Sequence, residues 1–342
     1  MSHRFFELAA GTVLATVTGI VLLAPVPAAA QTPSTAMLAK EGAKDGAKWT
    51  PPRTPDGVPD IQGVFTNASV VPLERPKDLG SKEFFTREEA DAYAAKVLSQ
   101  KEVVAPGTYG DVHYSMAQFG LEKGQSAVPA TIRTSLIVGP EGRVPPLLPE
   151  AQKRQAQRAA LNKGHEFDGP ENRSLGERCI LWPNEGPPML PEGYNSNLQI
   201  VQGPGYVAIT QEMIHDTRII PTDGRPHLPP EVRQLMGDSR GHWEGDTLVV
   251  DTTNFTSKTA FRGSGENLHV IERFTRTDPD TVLYQFTVED PSTWAKSWSG
   301  EVPMTKIEGP IFEYACTEGN YGMRNNLSGA RADEKKQAAL KQ

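Results

Sequence analysis

Between Glu212 and Arg218 the chain carries two carboxylates, an imidazole and a guanidinium: Glu212, His215, Asp216 and Arg218. These are the groups of acid–base catalysis, in which a carboxyl or imidazole moves a proton and a guanidinium steadies developing negative charge. If 206–220 is one unbroken strand, side chains alternate, so Glu212, Asp216 and Arg218 share a face while His215 points to the other with Met213. On the shared face one carboxyl can be raised in pKa and serve as an acid while Arg218 keeps the other ionised. The same residues equally suit a salt-bridged network in a barrel wall. His215 and Asp216 do not form a base and its orienter on a strand, because neighbouring side chains there diverge.

A second set lies in 268–276, where His269, Ile271 and Arg273 share one face and Val270, Glu272 and Phe274 the other. With the first face inward, His269 and Arg273 line a cavity. With the second inward, Glu272 is a lone carboxylate among apolar groups, a setting that favours general acid catalysis. Tyr194, Asn195, Asn197 and Asn320 offer neutral donors and acceptors near strand ends, suited to orienting a small ligand or to satisfying buried turns. The catalytic candidates are therefore Glu212, His215, Asp216, Arg218, His269 and Glu272. The candidates for substrate contact are Tyr194, Asn195, Asn197, Arg273 and Asn320.

His215, His227, His242 and His269 with nearby acids are the raw material of a metal site, but no His-x-His, His-Glu-x-x-His or cysteine cluster gives them ligand spacing. No phosphate-binding glycine loop or dinucleotide fingerprint is present, so the expectation is chemistry without a metal or organic cofactor. Gly237-Asp238-Ser239-Arg240-Gly241 spells a nucleophile elbow. Its context is wrong, because a short helix after Pro229-Pro230 precedes it and a hairpin strand follows.

The elements that must position these groups come in two styles. Thr86 and Glu89 form a capping box for a helix over 87–99, and a second helix is predicted over 149–162. From about 194 the pattern turns to short apolar runs of period two. Leu198–Gln202 and Tyr206–Gln211 flank Gly203-Pro204-Gly205, and Gly241–Trp243 leads through Glu244-Gly245-Asp246 into Thr247–Thr253. Leu268–Arg276 pairs with Thr281–Glu289, and further strands are expected at Ser297–Thr305 and Ile311–Ala315. Successive hairpins make an antiparallel up-and-down barrel or a strongly curved, calycin-like sheet, with a few N-terminal helices over one end or face. Trp243, Trp294 and Trp298 with Tyr284 and Phe286 read as its core. The expected organisation is an extended and helical part over 51–190, the barrel over 191–330 and a charged tail of low complexity at 331–342.

Arg4, the apolar run Ala9–Leu23 and Ala28-Ala29-Ala30 before Gln31 read as a signal peptide over 1–30, cleaved after Ala30, with a flexible leader over 31–50. Periplasmic or secreted placement makes a disulfide between Cys179 and Cys316 the natural reading, closing a loop for which chain entropy predicts about 4–5 kcal/mol. The net charge of −7 argues against nucleic acid and against an anionic membrane surface, and no later run is long enough to span a membrane. A small molecule is the partner that remains. The function expected is an exported lyase, isomerase or hydrolase using carboxylate and histidine acid–base chemistry on a small organic or sugar-derived molecule. The competing expectation is a secreted ligand-binding barrel without catalysis.

The runs Met213-Ile214-His215-Asp216, Arg218-Ile219-Ile220-Pro221, Asp223-Gly224-Arg225-Pro226-His227, Met236-Gly237-Asp238-Ser239-Arg240-Gly241, Trp243-Glu244-Gly245-Asp246-Thr247-Leu248-Val249-Val250 and Thr252-Thr253-Asn254-Phe255 resemble a family of secreted bacterial proteins. The likeness extends to Pro51–Gly57, Tyr194-Asn195, Leu268-His269 and Tyr314-Ala315-Cys316. It implies a shared fold and export.

Overall fold

Alternating Val, Ile, Leu and aromatic residues between Asn197 and Lys306 build most of a nine-stranded antiparallel sheet in this computed structural model. The structure describes residues 49–99, 131–192, 194–259 and 261–341, all within one unit spanning 43–342. The signal peptide expected at 1–30 and all but the end of the leader lie outside the described residues. The strands are β1 (Gly63–Thr66), β2 (Asn197–Gly203), β3 (Tyr206–Gln211), β4 (Thr217–Pro221), β5 (Asp238–Glu244), β6 (Thr247–Thr253), β7 (His269–Asp278), β8 (Thr281–Glu289) and β9 (Trp298–Lys306).

The sheet order is β4-β3-β2-β1-β9-β8-β7-β6-β5. Strands therefore follow one another around the wall in chain order, and the first and last, β1 and β9, pair with each other. An odd number of alternating strands cannot close with every neighbour antiparallel. The mismatch falls between β4 and β5, which run the same way and need the long connection 222–237 to join them. Side chains seal that gap. Gly241 of β5 is so close to Ile220 and Thr222 that a Cβ there would sit 3.0 and 2.9 Å from their methyl groups. The result is a nearly closed barrel.

Its inside is full. Leu198, Ile200, Val207, Ile209, Ile220, Leu248, Val250, Phe274, Tyr284, Phe286 and Val302 belong to one continuous buried cluster. Phe286 and Trp294 both meet Trp298 edge to face, at 5.9 and 5.8 Å between ring centres.

The helices are α1 (Arg87–Ser99), α2 (Pro149–Asn162) and α3 (Tyr321–Leu340). The capping box of α1 forms as expected: Glu89 N donates to Thr86 Oγ1 at 3.2 Å and Thr86 N to Glu89 Oε2 at 2.8 Å. Three expectations change. The barrel does not begin at 191, because β1 is drawn from the proline-rich N-terminal part. Residues 311–315 form no strand; their backbone runs as coil and Phe312 N is taken by a side chain of the barrel. The low-complexity end is the second half of α3, whose Ala, Lys, Glu and Gln residues are good helix formers and whose start is capped by Asn320. Cys179 and Cys316 form the expected disulfide, with Cα atoms 5.6 Å apart. Among the described residues no helix is long and apolar enough to cross a membrane.

Candidate functional site

Strand directions send Glu212, His215, Asp216 and His269 to one rim, where β1, β3, β6 and β8 end and β2, β4, β5, β7 and β9 begin. The segment 206–220 is not one strand. Gln211 N donates to Asp216 O at 2.9 Å, closing a hairpin whose tip holds Ile214 and His215 at φ 57° and 64°. A left-handed backbone at a β-branched residue is a genuine outlier, and such strain is concentrated at functional or tightly determined sites.

The turn scatters the expected face. Glu212 is buried and accepts from Asn195 Nδ2 at 2.7 Å, Asn197 Nδ2 at 3.1 Å and Phe312 N at 3.1 Å. Glu212, Asn195 and Asn197 thus fasten the C-terminal segment to the rim. His215 is exposed, and Asp216 caps the start of β4 by accepting from Thr217 N at 2.8 Å. Tyr194 is half-buried just before β2.

Arg218 and Glu272 do meet, inside the barrel. Arg218 Nη1 and Nη2 donate to the two oxygens of Glu272 at 3.1 and 2.7 Å. Tyr284 Oη donates to Glu272 Oε1 at 2.9 Å and accepts from Met189 N at 2.8 Å. The face bearing Val270, Glu272 and Phe274 is the inward one, but Glu272 is not a lone carboxylate, because Arg218 reaches it across the gap between β4 and β5. Burial, first, and the adjacent Glu272 charge push the Tyr284 hydroxyl well above its usual range, so it stays a proton donor.

His269 faces outward. Its Nε2 lies 2.7 Å from Asp251 Oδ2 and its Nδ1 lies 3.2 Å from Glu289 Oε2. Asp251 Oδ1 is 2.9 Å from Nε2 of His227, whose Nδ1 is 2.9 Å from buried Asp238. The hydrogen bond to Asp251 outweighs burial and raises the His269 imidazole, while the two imidazoles overcome burial to lower Asp251. Every ring nitrogen in this network faces a carboxylate, so it clips the 222–237 connection to the wall.

Arg273 pairs with Glu244 at 2.9 Å on the outer wall, away from this rim. Asn320 donates to Glu177 O at 3.1 Å beside the disulfide. Ser239 lies within β5 with its hydroxyl 2.9 Å from that of Thr252, and only a turn follows Pro229-Pro230, so the elbow motif has neither its strand-to-helix turn nor the expected helix.

The group that opens on a cavity was not among the expected ones. Residues 181–192 fold over the same rim, anchored by buried Met189 and Leu190. Between this loop, 69–73 and the turn at 261–263 lies a cleft of about 290 Å³. Val71, Pro72, Leu73, Val97, Leu190 and Pro191 give it apolar walls; Asn184, Glu192 and Arg262 give it polar groups. Such a composition is typical of small-molecule sites. Burial raises the Glu192 carboxyl, against the side chains of Trp182 and Asn184, and its Oε1 has no hydrogen-bond partner among the described residues. Behind it, Glu185 is 1% exposed and accepts from Trp182 N at 2.7 Å. Burial pushes the Glu185 carboxyl up to about 8 against that hydrogen bond, and the charges of Asp216 and Glu192 add to the rise.

Arg262 sits in a left-handed conformation at φ 49°, between Phe261, stacked on Trp298 at 6.2 Å, and Gly263 at φ 93°. The sequence offered one signal for this site. Glu185 and Glu192 flank a Pro-Pro-Met-Leu-Pro run just after Trp182, a polar–apolar mixture without strand or helix periodicity. Among the described residues no group of three or more His, Cys, Asp or Glu is arranged to hold a metal ion.

No protein-family model, curated protein or solved structure matches the chain.

Proposed function

We propose that this is an exported enzyme that binds a small organic molecule in the rim cleft and acts on it by carboxyl acid–base chemistry, with Glu192 as the proton carrier and Arg262 as the group that holds negative charge. The observation that carries this reading is the convergence of a half-buried carboxyl, an amide and a guanidinium on one mainly apolar cleft. A carboxyl raised by burial retains its proton nearer neutral pH and can deliver it to a leaving group or carbonyl oxygen. Guanidinium hydrogen bonds then stabilise the anion formed. Isomerase and lyase chemistry also need a base to remove a proton, and a hydrolase needs a water to attack with loss of a proton; the ionised form of the same carboxyl accepts that proton, with no organic cofactor. Export, with a signal peptide cleaved after Ala30, is supported by the Cys179–Cys316 disulfide.

The test is product formation by the pure protein across a panel of small esters, lactones and hydroxy acids, read by mass spectrometry. Glu192→Gln and Arg262→Gln are expected to lower turnover by about 10²–10⁴-fold. The outer-wall change His242→Gln should leave it unaltered. Full activity in both cleft variants refutes the assignment.

A second reading, a secreted binding protein without catalysis, is favoured by one observation. The carboxylates of Glu212 and Glu272 and both Nη atoms of Arg218 are taken by internal partners. It predicts a ligand recovered unchanged after long incubation.

A further inference from the structure

Resting on the reading of the rim cleft as the binding site, we infer that its ligand is an organic anion with an apolar body, the charged head on Arg262 and the body against Val71, Leu73 and Leu190.

Arg262 makes no hydrogen bond or ion pair with any described residue. The acid whose charge acts on it, Glu74, is already matched by Arg143 at 3.5 Å. In a chain of net charge −7, most other arginines near the barrel have a carboxylate: Arg53 with Asp246, Arg133 with Glu83, Arg218 with Glu272, Arg240 with Asp238. An uncompensated guanidinium beside a cleft is a local attraction for an anion, and its planar fork suits a carboxylate or a similar oxyanion.

The backbone also fixes where that charge sits. Arg262 holds a left-handed conformation that non-glycine residues seldom adopt, while Phe261 is buried on one side and Gly263 packs over the Gln155 side chain on the other. The turn is thereby held from both flanks. Across the cleft burial raises the Glu192 carboxyl, which lessens its repulsion of an anion beside Arg262. The apolar walls leave no second cation for a dianion, which limits the head to a single charge.

The experiment is isothermal titration of the full, disulfide-bonded chain with matched probes: phenylacetate, phenylacetamide and phenethylamine, then hexanoate, hexanamide and hexylamine. The carboxylates are expected to bind about tenfold more tightly than the amides, and the amines more weakly still. Arg262→Gln should erase the preference for the acid and leave amide affinity unchanged. In the native protein, added salt should weaken the carboxylates but not the amides, a readout that needs no variant. Equal binding of acid and amide, or an acid preference that survives Arg262→Gln, overturns the inference while the cleft stands as a site. Failure of all six probes to bind overturns the cleft reading and the inference with it.

Discussion

Arg218 on β4 and Glu272 on β7 face each other through a bidentate pair of 3.1 and 2.7 Å, both side chains buried, across the gap the backbone ladder leaves open. Removing one partner strands the other charge in an apolar interior. Arg218→Met is expected to cost about 3–5 kcal/mol, and Arg218→Met with Glu272→Leu to recover most of that loss. Urea unfolding of the two variants checks it; a double variant no better than the single one counts against the pairing.

Glu185 makes stability depend on pH in a stated direction. Its folded carboxyl is raised from 4.5 to about 8, so the native state keeps a proton that the unfolded chain has released. Stability therefore falls as pH rises between those values. Glu185→Gln, which cannot ionise, should match the native protein at pH 4 and exceed it by about 3 kcal/mol at pH 9. Thermal melts at both pH values decide the point.

The outer-wall clip behaves in the opposite sense at its acid end. His269 is raised above its usual 6.5, so its contribution is complete below that pH and is lost as pH rises through the folded value. Asp251 is lowered, so its share is present above the usual 3.8 and disappears as pH falls through its folded value. The clip is strongest between about pH 4 and 6.5. His269→Asn should cost about 1–2 kcal/mol at pH 5.5 and less at pH 9. Hydrogen exchange should localise the loosening to 222–237.

The disulfide fastens the loop before the cleft segment to the chain beyond the barrel, its cysteines 137 positions apart in sequence. Replacing both cysteines by serine should cost about 2–5 kcal/mol in denaturant unfolding. An unchanged midpoint would show that Glu212, with its bond to Phe312 N, holds the C-terminal segment unaided.

The hairpins were legible in the sequence because Gly203-Pro204-Gly205 and Glu244-Gly245-Asp246 punctuate runs of period two, and α1 because its capping box and apolar spacing agree. The turn at Ile214-His215 was not, since no glycine or proline announces it and a β-branched residue there defies local preference. β1 hid for another reason: four residues cannot show a period, and their pairing with β2 and β9 is entirely long-range. Of the expected acid–base residues, Glu212, His215 and Asp216 reach the rim. What brings Glu192 to Arg262 is the folding of a loop without periodicity against a turn seventy residues later, which no local pattern encodes.

A crystal structure of the mature protein grown with phenylacetate tests the central claim most directly. The cleft reading predicts the ligand among Asn184, Glu192 and Arg262, with its carboxylate on the guanidinium and its ring against Leu73 and Leu190. A ligand bound elsewhere, with this cleft filled by the protein's own side chains, would contradict it.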